Sequence, residues 1–280
     1  MRIKLMVMGL LLSFVTNLQA KANNKQVVIV TGSASGIGKA TCKRFVSQGY
    51  IVYGGDIQEE NNKYLDSIGG HSITLDVTKD DQVQAAVDKV IREQGKIDIL
   101  FNNAGFGIMG TNEETTMEDA QKVMDVNFYG YVRMIKAVLP QMRAQKSGRI
   151  INTTSMGGKI YFPLAGIYHA SKHAQEGWLD VLRLEVKHFG IKVVIIEPGF
   201  INTNFYKVSG AYGKTYGEHT AYGHIFGPIF KAPLPKMSEP EVIAKVVDKA
   251  VTKKNPKTRY VKGKNAKMLI WMRNTFGDKM

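Results

Sequence analysis

TGSASGIG, residues 31–38, is the stretch that decides the fold, because it joins a short β-branched run, Val27–Val30, to a segment with helical spacing, Ile37–Gln48. The same alternation continues along the chain. Further apolar runs lie at Ile51–Tyr53, His71–Leu75, Ile97–Phe101, Arg149–Thr153 and Lys192–Ile196, and helical patterns cover residues 79–94, 117–145 and 165–188. Strands that alternate with helices predict βαβ units, so we expect an α/β fold with one doubly wound, mainly parallel sheet and helices on both faces.

The glycines of this stretch are placed as a phosphate-binding turn requires. Gly32 permits the tight turn, Gly36 lets the backbone approach a pyrophosphate, and Gly38 allows helix and strand to pack closely. Ser35 and Ile37 lie at the start of the helix, where free N–H groups and the positive end of the helix dipole attract phosphates. Such glycines also occur in ordinary turns, but their position after the first strand of a βα repeat predicts a Rossmann-like dinucleotide-binding loop.

The composition is that of one folded globular domain. The chain has 280 residues, of which 44% are hydrophobic and 22% charged, so it can bury a core without disulfides or metals. Its single cysteine, Cys42, excludes an intramolecular disulfide and any multi-cysteine metal site, and we predict no metal site. Residues 23–280 are predicted to form the domain. Within it, residues 200–238 show no clear period, and we interpret them as a substrate lid after strand six.

The first 22 residues are predicted to lie outside that domain. Arg2 and Lys4 precede an apolar run, Leu5–Val15, and the pattern Ala20-Lys21-Ala22 follows. These are the three parts of a secretory signal peptide, and the run is shorter than the ~20 residues of a membrane-spanning helix. An uncleaved N-terminal membrane anchor is the alternative. The sequence therefore predicts export or membrane association, with the domain facing the cytosol if the leader is retained.

Positive charge is concentrated near the carboxyl terminus. The net charge is +14, and residues 236–280 hold twelve basic and four acidic residues. Lys264, Lys267 and Arg273 surround the apolar patch Met268–Met272, a combination that suits an anionic membrane interface. Packing of this patch under the lid is the alternative, and residues from about 253 onward are expected to form a basic tail. Because no aromatic stacking motif accompanies the charge, nucleic acid is not a predicted partner.

Asp56 follows the second apolar run, eighteen residues after Gly38. A carboxylate there can hydrogen-bond the ribose hydroxyls of a dinucleotide and repels a 2′-phosphate. No Arg or Lys lies within Ser33–Ser35 or at Ile57 and Gln58 to receive that phosphate. An Asp that caps the next helix is an alternative, and both roles are compatible. The charge argument favours NAD over NADP as the cofactor.

Tyr168 and Lys172 lie four residues apart in a predicted helix, so they share one face. Tyrosine, with a pKa of ~10, is a poor base at neutral pH, but a nearby ammonium favours the phenolate and lowers that pKa. Tyr168 is therefore a candidate general acid/base. Ser155, at the end of the fifth strand, is placed to bind a substrate oxygen. A Tyr-x-x-x-Lys pair is also common on solvated helix faces, which is the alternative.

Small and amide residues follow other predicted strands. Asn102-Asn103-Ala104-Gly105 ends the fourth strand, and Pro198, Gly199 and Thr203 follow the sixth. The carboxyl ends of parallel strands lie at one edge of the sheet, where open α/β sheets bind ligands. These residues are therefore candidate cofactor contacts, and they favour the interpretation of the Tyr-Lys pair as part of an active site.

The ordered set of motifs resembles the short-chain dehydrogenase/reductase family over about residues 25–255. The matching pieces are Thr31–Gly38, Asp76-Val77, Asn102–Gly105, Asn127, Ser155, Tyr168-x-x-x-Lys172 and Pro198-Gly199-x-x-x-Thr203. Each piece is weak alone, whereas the ordered set is specific. The resemblance implies an NAD(P)-dependent oxidoreductase that interconverts a secondary alcohol and a ketone.

The resemblance also implies roles for individual residues. Tyr168 would be the general acid/base, Ser155 would orient the substrate oxygen, and Lys172 would bind the nicotinamide ribose and lower the tyrosine pKa. Asn127 would hold a water that extends the proton relay. The other implied cofactor contacts are Asp76 and Val77 at the adenine, Asn103 and Ala104 on the adenosine side, Thr203 at the carboxamide, and Gly105, Pro198 and Gly199 in the same set.

Within the family, the stretches Asn103–Ile108 and Val126–Gly130 are similar to members that act on steroids and retinoids, which implies a lipophilic substrate. Eight aromatic residues of the lid region suit a flat or greasy molecule: Phe200, Phe205, Tyr206, Tyr212, Tyr216, Tyr222, Phe226 and Phe230. Packing of these side chains on the body of the domain is the alternative.

The family further implies a homodimer or homotetramer, formed through the helices that carry Asn127 and Tyr168. Met124, Met134, Trp178 and Leu182 lie on those helices. A second class of function stays open, namely a non-catalytic dinucleotide-binding protein associated with a membrane or a partner. The presence of Ser155, Tyr168 and Lys172 together argues against it, because a protein that only binds a dinucleotide does not need them.

Overall fold

Within the described residues, seven parallel strands form one sheet. The computed structural model describes residues 25–217, 220–232 and 235–279, so the predicted leader at residues 1–22 lies outside the described residues. The strands are β1 (Val27–Thr31), β2 (Ile51–Asp56), β3 (His71–Thr74), β4 (Ile99–Asn102), β5 (Gly148–Thr153), β6 (Ile191–Pro198) and β7 (Arg259–Lys262). Their order is β3-β2-β1-β4-β5-β6-β7, and every pairing is parallel. The predicted doubly wound α/β fold is confirmed.

Helices cover both faces of this sheet. They are α1 (Gly36–Ser47), α2 (Glu59–Asn62), α3 (Tyr64–Ser67), α4 (Asp80–Gln94), α5 (Met117–Met124), α6 (Gly130–Ala144), α7 (Gly166–Glu185), α8 (Phe205–Gly217), α9 (Gly223–Lys231), α10 (Pro240–Thr252) and α11 (Ala266–Phe276). A π-helical turn, Asp125–Tyr129, joins α5 to α6, and a 3-10 turn, Met156–Gly158, follows β5. In the part of the chain that the structure describes, none of the helices has the length and hydropathy that crossing a bilayer requires.

Alternating side chains of the central strands divide the core into two layers. In β1, Val27 and Ile29 pack in the layer that α4, α6 and α7 cover, whereas Val28 and Val30 pack in the layer that α1 and α10 cover. All four side chains are buried. Burial on both faces explains why the strands read as continuous apolar runs instead of alternating patterns.

The strand order reverses between β1 and β4. The chain proceeds outward from β1 to β3 on one side and from β4 to β7 on the other, which leaves a crevice at the carboxyl edge of the central strands. The glycine-rich loop follows β1 at this edge, residues 103–105 follow β4, and Ser155 follows β5. The topology therefore brings the motifs found in the sequence to one place.

Two regions contain elements that the sequence patterns did not indicate. Residues 200–238, where the sequence shows no clear period, contain α8 and α9. The basic tail, which the sequence analysis placed within the domain, contributes β7, which extends the sheet beside β6, and α11, whose inner side packs on Met156 and Ile160. Short elements rich in glycine and lysine have weak periodicity, so their tertiary contacts decide their structure.

The structure shows which apolar side chains of the two predicted oligomer helices are covered within the chain. Met134 and Leu182 are buried in the core, and Trp178 packs against its edge. The exposed apolar side chains on these helices are instead Val181 and Leu184. Helical spacing defines the two faces of a helix, but it does not say which of two apolar stripes is covered within the same chain.

Candidate active site

The glycine-rich loop leaves no room for side chains. A Cβ at Gly38 would overlap the carbonyl oxygen of Gly32, and a Cβ at Gly32 would lie 2.9 Å from the Cα of Ala104. Gly32 and Gly36 also have positive φ angles of 69° and 50°, which glycine adopts without strain. The loop therefore presents bare backbone to the crevice.

Helix α1 begins at this loop with a free N-terminus. Its N-cap residue, Ser35, makes no side-chain cap hydrogen bond, and the first turn, all of which is described, contains no acidic residue. The unpaired N–H groups and the positive end of the helix dipole are therefore available to an anion. Together with the glycine backbone, this arrangement fits the pyrophosphate of a nicotinamide dinucleotide. Ile37, the second helical residue, packs on the core and fixes the helix start.

Asp56 borders the loop from the end of β2. Its Oδ2 accepts a hydrogen bond from the N–H of Ala34 and its Oδ1 accepts one from the N–H of Gln58, both at 2.9 Å. The carboxylate therefore orders the loop and the turn before α2, but it does not cap that helix, whose N-cap residue is Gln58. Its predicted contact with the adenosine ribose stays a prediction.

A hydrogen-bond network ties together the ends of β1, β4 and β5. Thr31 Oγ1 accepts from the N–H groups of Asn103 and Ala104, at 2.9 and 3.1 Å. Asn103 Nδ2 donates to the carbonyl oxygens of Thr31 and Gly32, and Thr153 Oγ1 donates to Asn103 Oδ1. Asn103 thus orders the glycine-rich loop from the neighbouring strand. Its implied contact with adenosine stays a prediction.

Ser155 and Tyr168 meet beside the crevice, where the Ser155 hydroxyl lowers the pKa of Tyr168. Ser155 lies just beyond β5, and Tyr168 lies in the first turn of α7. Ser155 Oγ also accepts the N–H of Gly157 at 2.9 Å, which leaves its own proton for another acceptor. Burial raises the pKa of Tyr168 to about 12, against the lowering effect of the Ser155 hydrogen bond. Tyr168 is therefore a neutral proton donor at neutral pH.

Lys172 lies one turn further along α7. Its Nζ donates to the carbonyl oxygen of Thr153 at 3.0 Å and lies 5.8 Å from the centre of the Tyr168 ring. The side chain is 4% exposed, and burial lowers its pKa to about 7, opposed by the negative charge of Glu176. The Tyr-Lys pair is therefore not on a solvated helix face. A buried ammonium near Tyr168 stabilises the phenolate relative to the phenol.

The π-helical turn brings Asn127 to the same place. Asn127 Oδ1 accepts the N–H of Phe106 at 3.0 Å, and its Nδ2 donates to the carbonyl oxygen of Phe106 at 2.9 Å. A Cβ at Gly105 would lie 3.1 Å from Asn127 Oδ1 and 3.9 Å from Lys172 Nζ, so these three residues converge. Gln175 donates to the carbonyl oxygen of Asn127. Gln175 was not predicted as a site residue from the sequence. Its position one turn after Ser171, on the same side of α7 as Lys172, could have indicated that it lies at the site.

The remaining predicted cofactor contacts lie around the edges of the crevice. Asp76 Oδ1 accepts the N–H and the hydroxyl of Thr78, and Val77 is buried against Gly130. On the other side of the crevice, a Cβ at Gly36 would lie only 2.9 Å from the methyl carbon of Thr203. The segment after β6 therefore contacts the glycine-rich loop directly.

Pro198 and Gly199 end β6 and begin the lid segment. Gly199 donates its N–H to the carbonyl oxygen of Lys262 at 2.8 Å, and a Cβ at Gly199 would overlap the carbonyl oxygen of Lys264. These two residues contact the edge strand β7 and the turn after it. Their contact with a cofactor stays a prediction.

Phe205, in the first turn of α8, covers the catalytic tyrosine candidate. Its ring centre lies 5.1 Å from that of Tyr168, and its Cζ lies 2.5 Å from the position of a Cβ at Gly107. Tyr206 packs edge-on against Phe205 with ring centres 5.5 Å apart. Phe205 thus fills the space that a side chain at Gly107 would need. Both lid aromatics were predicted from the sequence, but the contact of Phe205 with Gly107 was not.

The other lid aromatics divide between the two alternatives that the sequence left open. Tyr212 lies 6.3 Å from Phe106, next to the crevice, whereas Phe200 packs beneath α11 and Phe226 is buried. Tyr222 donates to Glu113 on the body of the domain. The side chains of Tyr216 and Phe230 lie outside the described part of the structure.

A charged cluster anchors the edge strand behind α7. Arg259 of β7 lies 3.0 Å from Glu176, 2.7 Å from Asp180 and 3.3 Å from Glu197. Burial and the neighbouring Glu176 carboxylate raise the pKa of Glu197 to about 7. Arg259, which belongs to the predicted basic tail, is therefore a structural residue. These carboxylates neutralise its charge, and one of them, Glu176, lies one turn from Lys172. Among the described residues, no group of three or more ligating side chains could hold a metal ion.

Comparison with known proteins agrees with this geometry. The model of the short chain dehydrogenases matches residues 26–211. A 3-ketodihydrosphingosine reductase from Bacteroides thetaiotaomicron is 38% identical over 242 residues, which cover 84% of this chain and 86% of the relative. An NADPH-dependent 3-dehydrocapnine reductase from Ornithobacterium rhinotracheale is 34% identical over 245 residues, which cover 83% of this chain and 86% of that protein.

Solved structures are similar over nearly the whole chain. A short-chain dehydrogenase from Streptomyces avermitilis superposes with a TM-score of 0.80 at 30% sequence identity. The match covers 90% of this chain and 94% of the other. The predicted resemblance is therefore confirmed in sequence and in three dimensions.

Proposed function

This chain belongs to the short-chain dehydrogenase family of oxidoreductases, and we propose that it interconverts a ketone and a secondary alcohol on a lipophilic molecule, with Tyr168 as the general acid/base. The observation that carries the proposal is the convergence of a protonated Tyr168, the Ser155 hydroxyl and the buried Lys172 at the crevice. A non-catalytic dinucleotide-binding role needs none of these three groups.

The residues divide the chemistry of ketone reduction among themselves. When bound, a nicotinamide dinucleotide supplies the hydride for the carbonyl carbon. Tyr168 gives its hydroxyl proton to the carbonyl oxygen, while Ser155 donates a hydrogen bond to the same atom and orients it. Lys172 stabilises the phenolate that Tyr168 becomes, and the proton is regained from solvent. In alcohol oxidation the same groups act in reverse. The raised pKa of Tyr168 keeps its hydroxyl protonated near neutral pH, which is the form that ketone reduction needs.

Tyr168→Phe tests the assignment, because it removes the proton donor and keeps the ring that packs on Phe205. We expect ketone reduction, followed by the loss of nicotinamide absorbance, to fall by roughly 10²–10⁴-fold, while dinucleotide binding stays within a factor of about two. Tyr212→Phe is the matched control, because Tyr212 borders the crevice without touching Ser155. Undiminished turnover by the Tyr168 variant would exclude this mechanism.

Two arguments support a lipophilic substrate. Phe205 and Tyr206 face the crevice beside Tyr168, and aromatic side chains bury flat or aliphatic molecules well. The Bacteroides relative is named for a 3-keto sphingoid base. A panel of a hydroxysteroid and its ketone, a retinoid, 3-ketodihydrosphingosine and acetone separates the possibilities. We expect kcat/KM for at least one large apolar ketone to exceed that for acetone by two orders of magnitude. Equal rates would contradict the proposed substrate class.

NAD is the cofactor that the charge of Asp56 favours. The carboxylate lies at the carboxyl end of β2 and would meet a 2′-phosphate with like charge, although the Ornithobacterium relative is named as NADPH-dependent. We expect Asp56→Ala to raise the NADPH/NADH ratio of kcat/KM by about tenfold. Asp56→Asn keeps an oxygen for the N–H of Ala34 and removes the charge, so an equal shift in both variants assigns the effect to charge. A wild-type preference for NADPH would contradict this part of the proposal.

A homodimer or homotetramer is the assembly we propose. Val181 and Leu184 of α7 are 55% and 63% exposed, and Met117 of α5 is 72% exposed. Large exposed apolar side chains on neighbouring helices are typical of a face that another subunit covers. Light scattering at micromolar concentration should give at least twice the mass of the chain, and Val181→Glu with Leu184→Glu should return it to one chain. A monomeric wild type would contradict the assembly.

We also propose that the protein associates with a membrane. On α11, Met268 and Trp271 are exposed, and Lys267 lies one turn before Trp271, while Lys264 lies just before the helix; basic residues beside exposed apolar ones suit an anionic interface. Fractionation of cells that express the full chain, a high-salt wash and N-terminal sequencing distinguish the possibilities. Membrane recovery with Met1 retained would support an anchor, and a new terminus at Asn23 would support cleavage. Recovery only in the soluble fraction with Met1 retained would contradict membrane association.

A further inference from the structure

His169 follows Tyr168 on α7 and connects two loops at the active site. Its Nδ1 lies 2.8 Å from the carbonyl oxygen of Gly157, and its Nε2 accepts the N–H of Phe162 at 2.9 Å. Because a carbonyl oxygen only accepts, Nδ1 carries the proton and Nε2 is a bare acceptor. The side chain is 6% exposed. His169 is therefore a neutral imidazole in one tautomer, with both ring nitrogens used.

The Nδ1 contact leads to Ser155 through a single residue, Gly157. The carbonyl of Gly157 accepts from His169, and its N–H donates to Ser155 Oγ at 2.9 Å. A Cβ at Gly157 would lie 3.0 Å from His169 Nδ1 and 3.2 Å from Ser155 Oγ, so the three groups are packed together. The imidazole thus holds Gly157 in place. The N–H of Gly157 occupies one lone pair of Ser155 Oγ, and this directs the serine proton toward the crevice.

The Nε2 contact leads to a different structure. Phe162 belongs to the loop between the 3-10 turn and α7, and its side chain is 38% exposed. Phe162, Pro163 and Leu164 line one side of a cavity of about 380 Å³, and Tyr222 and Ile225 of the lid line the other. The hydrogen bond that Phe162 donates to His169 therefore fixes a loop that borders this cavity.

We propose that His169 is a positioning residue with two separable roles in this reaction: Nδ1–H sets the Ser155 hydroxyl through Gly157, and Nε2 holds the Phe162 loop, which forms part of the substrate-binding wall. The first role acts on the reacting oxygen and hence on kcat. The second acts on substrate binding and hence on KM. The proposal rests on the proposed oxidoreductase function.

Two amide substitutions separate these roles, because the amide nitrogen of Asn reaches the position of Nδ1 and the amide oxygen of Gln reaches that of Nε2. We expect His169→Asn to keep kcat within about twofold and to raise KM by roughly fivefold to tenfold, the effect of one lost hydrogen bond. We expect His169→Gln to keep KM and to lower kcat by roughly tenfold. The assay uses the ketone of the panel that the wild type reduces fastest.

His173→Asn is the matched control, because His173 lies one turn further on α7 and is exposed. It should leave both constants unchanged. Amide hydrogen exchange supplies a readout that needs no substrate. The N–H of Phe162 should lose protection in His169→Asn and keep it in His169→Gln, and the N–H of Gly157 should show the reverse.

Parallel losses of kcat and KM in both variants, with equal deprotection of both amides, would overturn the proposal and leave His169 a packing residue. Wild-type kinetics and exchange in both variants would overturn it equally. Failure of the proposed function looks different: Tyr168→Phe would then retain turnover, or the panel would give none, while the exchange pattern still decides the roles of the two ring nitrogens.

Discussion

Residues 27–198 and residues 199–279 hold their functional groups in different ways. In the first region, polar groups at strand ends are fixed by hydrogen bonds, such as those from Asn103 to Thr31 and from Lys172 to Thr153. In the second region, the contacts with the site are mainly aromatic, such as that of Phe205 with Tyr168. Polar geometry constrains residue type at each position, whereas apolar packing tolerates many side chains of suitable size.

The largest effect should come from adding one methyl group to the first region. Gly38→Ala places a Cβ into the carbonyl oxygen of Gly32, and both groups belong to the backbone, so neither can rotate away. We expect dinucleotide affinity to fall by at least 100-fold, measured by titration calorimetry, because the loop must open to accept the Cβ.

Gly177→Ala is the matched control, since Gly177 also lies in a helix and has no neighbouring atom within 4 Å of an added Cβ. It should leave affinity unchanged and stabilise the fold by about 0.5–1 kcal/mol, the usual difference between alanine and glycine in helices. Equal affinities for the two variants would show that the loop is not as rigid as the structure indicates.

The second prediction tests whether the two regions are coupled through Gly107 and Phe205. Gly107→Ala brings a Cβ to 2.5 Å from Phe205 Cζ, so the lid must move and kcat/KM for a lipophilic ketone should fall by about tenfold. Adding Phe205→Ala should restore much of this loss, with a coupling energy of about 1–2 kcal/mol in a double-mutant cycle.

Gly210→Ala is the control for this cycle, because Gly210 lies in α8 with no atom within 4 Å of an added Cβ. Its effect should be additive with that of Phe205→Ala. Additive effects of the Gly107 and Phe205 substitutions would mean that the lid adjusts without cost, so the second region would be more adaptable than its packing indicates.

The same contrast explains what could be predicted from the sequence. The strands β1, β2, β4, β5 and β6 follow from apolar runs, because strands that are largely buried on both faces have few positions for polar residues. β7 has four residues, of which Arg259 and Lys262 are charged, and its position depends on the contacts of Arg259 with Glu176 and Glu197. Such a long-range ion pair leaves no local pattern, so the edge strand and the helices around it were not predicted.

Within the candidate site, the motif residues could be predicted and their supports could not. Ser155, Tyr168 and Lys172 stand at spacings that a reader of sequences can recognise. Gln175 and His169 act through backbone groups of Asn127, Gly157 and Phe162, and those pairings appear only when distant loops are brought together. The break of the predicted helix 117–145 at the π-helical turn is of the same kind, because one extra backbone residue per turn has no signature in side-chain periodicity.

The smallest expected effect is on the free energy of unfolding. It would show that a group of the first region that the proposed reaction needs destabilises the folded protein. Lys172 is buried with a pKa of about 7, below the usual 10.5. Between these two values the unfolded chain keeps a proton that the folded chain has released, so the free energy of unfolding rises with pH above 7 by up to roughly 1.4 kcal/mol per pH unit. Lys172→Met removes the penalty, and the carbonyl oxygen of Thr153 still accepts the Tyr131 hydroxyl at 3.0 Å.

We therefore expect Lys172→Met to be inactive and yet more stable than the wild type at pH 7, with an advantage that shrinks as the pH rises to 8.5. Urea unfolding of the cofactor-free protein at three pH values measures the difference, and the difference isolates Lys172 because Cys42 and the tyrosines with raised pKa values are present in both proteins. Lys136→Met, at an exposed position of α6, should show no such trend. An advantage that stayed constant with pH would mean that lost packing, and not the buried charge, separates the two proteins. A stability difference that shrinks as the pH rises would mean that the charged ammonium of Lys172 destabilises the folded wild type. The proposed reaction needs this same group beside Tyr168.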